Sequence, residues 1–202
     1  MWCSALLLSG LAVAATARAE PLVSDDVWQL ARRVLHSADH AFRPFAIVDK
    51  RAALLVVFHA DGQLAGSTAA LLGSVYGDNN VAGVGGRTQR RALQPGDATT
   101  PAGRFISHPG HNHTGEEVVW VDLDAAFAIH RLRPGPAQAA RAKRLASADP
   151  GHKRVSEGCV VVSISFFTRV VMPLLGRHQA VVYVLPEAGL DAKRIQAEPR
   201  NL

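Results

Sequence analysis

The 202 residues have room for one domain, and a hydrophobic fraction of 48% against 19% charged supplies a core and excludes a disordered, highly charged chain. The net charge is +5, yet the basic residues are scattered and only 6% of residues are aromatic, which excludes a basic stacking platform for nucleic acid. A mildly basic exterior suits contact with an acidic polymer such as a cell envelope.

Residues Ala5 to Ala15 form an uncharged Leu- and Ala-rich stretch followed by Ala17-Arg18-Ala19, the small-x-small pattern of a cleaved secretory leader. The expectation is a signal peptide over 1–19 and a mature terminus at Glu20. A membrane anchor is the competing reading, but the uncharged run from Trp2 to Ala17 is shorter than the roughly 20 residues a spanning helix needs. No second apolar stretch of that length follows, so no membrane span is expected after cleavage. Cys3 falls within the leader, which leaves Cys159 as the lone thiol of the mature chain and excludes an internal disulfide.

Residues 20–44 predict an N-terminal helix and linker. Ser24-Asp25-Asp26 opens the helix, and Val27, Leu30, Ala31, Val34, Leu35 and Ala38 recur at three- and four-residue spacing. From Phe45 the pattern turns to strands: Phe45 to Val48, Ala52 to His59 and Gln63 to Leu72, with Asp61-Gly62 as a hairpin turn. Gly77 to Gly86 and the segment around Pro95-Gly96-Asp97 predict loops. Val118 to Leu123 and Ala125 to Leu132 predict strands, the second carrying His130. Pro136 to Ser147 predicts a short inserted helix. Ser163 caps a helix to Leu175 whose final turn Pro173 disturbs, and Val181 to Leu185 is the last strand. The expected class is mainly β with peripheral helices: an antiparallel assembly closed into a sandwich or small barrel.

The segment Ser156-Glu157-Gly158-Cys159 places the thiol after a glycine and before a run of valines. Glycine allows a sharp turn, so amides near Gly158 and Cys159 can face an oxyanion, and a thiol needs a base, for which His130 at a strand end is the leading candidate. Each residue keeps a plainer alternative. Cys159 can be a buried hydrophobe, His130 a structural histidine, Ser156 a turn-former and Arg154 a solvated cation.

Taken together, Thr100-Pro101-Ala102-Gly103-Arg104-Phe105, strand-borne His130, Ser156-x-Gly158-Cys159 and Val181-Val182-Tyr183-Val184-Leu185-Pro186 resemble the L,D-transpeptidase family with its YkuD-type catalytic domain. The resemblance covers about 45–187 and leaves 188–202 as a tail. It implies a YkuD-like β-sandwich or partly closed barrel, and action on peptidoglycan stem peptides in the periplasm or cell envelope. It further implies that Cys159 attacks the carbonyl on the L-side of an L,D-peptide bond, releases the D-residue and passes the acyl group to an amine-bearing acceptor, with no cofactor or metal. Catalytic candidates are Cys159, His130, Ser156 and Gly158; substrate-binding candidates are Arg154, Glu157 and Arg131. Three positions depart from the family pattern: Arg131 where glycine usually follows the histidine, Glu157 where histidine is common, and Val161 where Arg or Asn is usual. The Pro136 to Ser147 insertion lengthens the gap between histidine and cysteine and suggests a lid or partner surface.

His108, His111 and His113, with Glu116 and Glu117, form a histidine-rich stretch expected in a loop at the cleft rim, without a closed ligand set for a metal. Two further functions stand beside transpeptidation. One is a carboxypeptidase or hydrolase, in which water resolves the thioester, and the other is a non-catalytic peptidoglycan-binding module.

Overall fold

The computed structural model describes residues 22–190, so the expected leader and most of the expected tail lie outside the described residues. The first helix, α1 (Asp25–Ser37), starts where Ser24 Oγ caps the amide of Val27, with Asp25 and Asp26 against its positive end, and stops at Ala38 in the left-handed conformation. Its buried stripe of Val27, Leu30, Ala31 and Val34 lies against one face of a sheet, on Phe45, Ile47, Val56, Phe58, Val181 and Tyr183. The helix is therefore part of the folded body rather than a free appendage.

Ten strands follow: β1 (Phe45–Asp49), β2 (Leu54–Phe58), β3 (Leu64–Ala69), β4 (Leu72–Gly73), β5 (Gly103–His111), β6 (Glu117–Asp122), β7 (Phe127–Arg131), β8 (Arg154–Ser156), β9 (Val160–Val162) and β10 (Ala180–Val184). Eight of them form one sheet in the order β3-β2-β1-β10-β5-β6-β7-β9, and β4 pairs with β8. The ladders are antiparallel except β1 with β10, β7 with β9 and β4 with β8. Strands β1, β2 and β10 are buried on both faces, which accounts for their unbroken apolar runs.

The sheet curves until its two ends meet. Leu71, just past β3, exchanges hydrogen bonds of 2.8 and 2.9 Å with Val161 of β9. The result is a nearly closed barrel rather than two stacked sheets. Its interior holds Ala46, Val48, Leu55, Val57, Phe105, Val119, Ile129, Val160, Val162, Val182 and Val184.

Two expected loops hold regular structure. Val84–Gln89, within the Gly- and Asn-rich stretch, is a short helix, α2. His108 and His111, expected in a loop, lie on the nine-residue β5, while the insertion forms α3 (Gln138–Leu145). Arg87 of α2 donates to both carboxylate oxygens of Asp97, at 2.7 and 2.6 Å, and this pair holds the Asp97 carboxyl down at about 2.

A last helix, α4 (164–175), fills the open side of the barrel with Phe167, Val171 and Leu175, spaced four residues apart. It opens with an α turn (Ile164–Phe166) capped by Ser163, widens to a π-type turn (Phe167–Val171) and closes as α (Met172–Leu175). The distortion falls one turn ahead of Pro173, because a proline ring crowds the carbonyl four residues earlier, here Arg169.

Behind the loop after β4, Lys50 is buried with its ammonium on Gly77 O (2.6 Å), Asp78 Oδ1 (2.7 Å) and Thr100 O (3.1 Å). Replacing it, Lys50→Met, leaves Asp78 and Glu187 beside a missing charge and is expected to cost about 3–5 kcal/mol in urea unfolding. A cost under about 1 kcal/mol would show that the network does not hold this corner.

Candidate functional site

Strand β7 delivers His130, and Cys159 lies immediately before β9. In the parallel ladder, Ile129 faces Val160 and His130 faces Val161. Ile129, Val160 and Val162 point into the barrel, whereas Val161 joins an outer cluster with Leu71 and Leu132. His130 is thus on the outer face with Val161, and Cys159 precedes the strand that carries Val161 by two residues. Leu145 of α3 and Val155 of β8 pack on that outer cluster, so the inserted helix flanks the same face.

The imidazole is held in one tautomer. His130 Nδ1 lies 2.8 Å from the Arg131 carbonyl, which can only accept, so Nδ1 carries the proton and Nε2 is the free base. Burial, with Arg133 as the next contributor, lowers His130 to about 4. The thiol, 3.5 Å from the Ala126 carbonyl, is raised, chiefly by burial, against a backbone hydrogen bond with Ala128 and the charge of Arg133. At neutral pH both groups are uncharged.

The turn that carries the thiol is clamped from two sides. Ser156 Oγ donates to the Cys159 carbonyl at 2.6 Å and accepts from the Gly158 amide at 3.2 Å. Thr100, fully buried, donates to the Gly158 carbonyl at 2.7 Å and accepts from the Gly73 amide at 2.8 Å. Gly158 has φ +117°, and a Cβ there would sit 2.8 Å from the Thr99 carbonyl oxygen, so only glycine fits. The Gly158 N–H, expected to face an oxyanion, donates to Ser156 Oγ in this structure. The hydrogen bonds of the Ser156 hydroxyl go to the turn itself and not to the imidazole.

The substrate-binding candidates separate. Arg154 forms a bidentate pair with Glu187 (2.9 and 2.7 Å), donates to the Lys50 carbonyl (2.9 Å) and has its guanidinium carbon 4.4 Å from the centre of the Tyr76 ring. Its fork is turned to an internal carboxylate. Arg131 donates to Glu116 at 2.9 Å, and Glu157 is exposed at the tip of the thiol turn. Of the histidine-rich stretch, His108 meets the Gln179 side chain at 3.3 Å, and among the described residues no cluster of His, Cys, Asp or Glu is placed to hold a metal. Thr100 and Lys50 are the residues that sequence reasoning passed over. Thr100 stands inside the quoted Thr-Pro-x-Gly element, where its hydroxyl was the available signal.

No protein-family model and no curated protein matches this sequence. Among solved structures the chain is similar to the L,D-transpeptidase of Xylanimonas cellulosilytica DSM 15894, with 18% identity and a TM-score of 0.43 over 70% of this chain and 60% of that one. It is also similar to the helical cell shape determining protein Pgp2 of Campylobacter jejuni, with 15% identity and a TM-score of 0.45 over 71% of this chain and 48% of that one. The catalytic domain of the E. faecium L,D-transpeptidase aligns at 18% identity and a TM-score of 0.36 over 70% of this chain and 95% of that one. The chain thus spans less than two thirds of the first two structures. No helix among the described residues is long and apolar enough to cross a membrane.

Two outcomes follow from this geometry. Because the folded His130 resists protonation, the unfolded chain binds the extra proton between about pH 6.5 and 4, so stability falls as pH drops through that window. The loss, about 3 kcal/mol when complete, is expected to vanish in His130→Gln when urea unfolding of the two proteins is compared across that range. Separately, Thr100→Val strands the Gly73 amide and the Gly158 carbonyl and is expected to cost about 1–3 kcal/mol, with Thr100→Ser recovering most of it. Equal losses for valine and serine would assign the effect to packing instead.

Proposed function

We propose that the chain is an exported cysteine acyltransferase acting on peptidoglycan stem peptides, with Cys159 as nucleophile and His130 as base. The observation that supports this reading is that His130 on β7 pairs with β9, directly behind Cys159, with the imidazole Nδ1 engaged by the Arg131 carbonyl. The ordered motifs from Thr100 to Pro186 support it, as do a leader-like start and a thiol turn braced by Ser156 and Thr100.

The step begins as the Cys159 proton moves to His130 Nε2 while sulfur adds to the peptide carbonyl on the L-side of an L,D-bond. The carbon–nitrogen bond breaks, the proton passes from the imidazolium to the departing D-residue amine, and a thioester remains. An acceptor amine then displaces sulfur, giving its proton through the same nitrogen to the departing thiolate, and a cross-link forms with the thiol restored. Burial keeps the resting pair neutral, so the base is ready across the neutral range.

Intact-mass analysis of the protein with purified tetrapeptide muropeptides, with and without an acceptor amine, tests the reading. The expected result is a thioester adduct lacking the terminal D-residue, which the amine converts to product, with no adduct in Cys159→Ala and a rate at least about a hundredfold lower in His130→Ala. Tripeptide release with no cross-linked product would show a hydrolase. Unchanged substrate and no adduct would leave a peptidoglycan-binding module.

A further inference from the structure

The outward face of α1 is basic and unpartnered. Gln29, Arg32, Arg33 and His36 fall within one stripe of the helix, away from the buried stripe, and line an open hollow of about 270 Å³. All four are exposed, and neither guanidinium has a hydrogen bond or ion pair with a described residue. The acids of the helix, Asp25 and Asp26, stand in its first turn, about two turns from Arg32. A shallow basic hollow of this kind suits a phosphate group, which guanidiniums bind through paired N–H donors.

A basic stripe alone is ordinarily solvated, but the turn that follows the helix adds an apolar group. Ala41 and Phe42 both take the left-handed backbone conformation, with φ of 52° and 56°, which is costly for any residue with a Cβ and an outlier for a bulky one. There the Phe42 ring stands 80% exposed. The turn is braced by buried His40, whose Nε2 lies 3.0 Å from the Ala60 carbonyl and whose ring centre is 6.0 Å from that of Phe42 and 5.3 Å from that of Phe45. Arg43, next to the ring, spends a donor on the neutral Gln179 side chain at 2.9 Å and keeps its charge uncompensated, whereas Asp39, the acid of this turn, is taken by Arg104 at 2.7 Å. Strain that the surroundings hold in place at an exposed aromatic is a mark of a contact surface.

We propose that this end of α1 docks on an anionic phospholipid bilayer. Phe42 enters the boundary between head groups and acyl chains, and Arg32, Arg33 and Arg43 meet lipid phosphates. A soluble acidic polymer would use the cations and leave the ring in water, so the pairing of ring and cations selects the bilayer. Helix α1 covers β1, β2 and β10, across the barrel from β7 and β9, so a docked molecule turns the face that carries His130 away from the lipid. The docking goes beyond the acyl-transfer reading and stands whether or not that chemistry occurs.

The test is sedimentation of the full chain with vesicles of phosphatidylcholine alone and of phosphatidylcholine mixed in equal parts with phosphatidylglycerol, at low and high salt. Binding common to both, including any from the apolar start of the chain, cancels in the ratio of the two. The mixed vesicles are expected to bind at least about tenfold more protein at low salt, with the ratio falling at high salt and falling about fivefold in Arg32→Gln/Arg33→Gln. Phe42→Ser is expected to weaken binding to the mixed vesicles about fivefold, with Phe42→Trp retaining it. Equal binding to the two vesicle types, or a ratio unchanged in Arg32→Gln/Arg33→Gln, overturns the docking. Binding unaltered in Phe42→Ser shows a site for polyanions in general and overturns it as well. The side chains replaced are exposed, and urea midpoints equal to wild type confirm that the variants fold. Muropeptide turnover by these variants is expected to match wild type, so a failure of the docking and a failure of acyl transfer are read separately.

Discussion

One ammonium taken out of water organises this molecule. Lys50 sits at the end of β1 with its charge fully enclosed, a state that stands only if carboxylates and carbonyls replace the lost hydration. Asp78 and Glu187 supply the charge, and the carbonyls of Gly77 and Thr100 supply the remaining acceptors. Glu187 in turn takes the fork of Arg154, whose other face lies against Tyr76. Two cations and two anions thereby fasten stretches of chain that are far apart in sequence.

That fastening reaches the chemistry through Thr100. Its carbonyl accepts from Lys50, while its hydroxyl spans the Gly73 amide and the Gly158 carbonyl. The thiol turn is consequently fixed by a chain of short polar contacts that runs from the first strand of the barrel to the ninth. Such an arrangement holds the thiol turn through hydroxyl and carbonyl contacts, while burial leaves the sulfur and the imidazole neutral at rest.

Much of this was legible in the sequence, and the reasons are local. Helix α1 announced itself through the Ser24 cap and its apolar spacing, and β1, β2 and β10 through apolar runs that only doubly buried strands tolerate. Cys159 and His130 stood out by residue type and by the motif around them. What stayed hidden was long-range. The closure between Leu71 and Val161 depends on strand curvature, which no local pattern records. Arg154 read as a substrate-binding or solvated cation because its partner, Glu187, lies 33 residues away. Helix α2 escaped for a related cause: a helix that starts after left-handed Gly83 and contains Gly85 and Gly86 has little propensity of its own, and the Arg87–Asp97 pair helps to hold it.

The barrel is a ring whose final link, between Leu71 and Val161, is two hydrogen bonds beside the short β4–β8 pair. A closed sheet spreads strain evenly, whereas a ring with one slender joint concentrates it there. The joint falls on the strand that follows the thiol directly. The slender joint therefore lies beside the Cys159 turn, whereas the wall under α1 is made of strands buried on both faces.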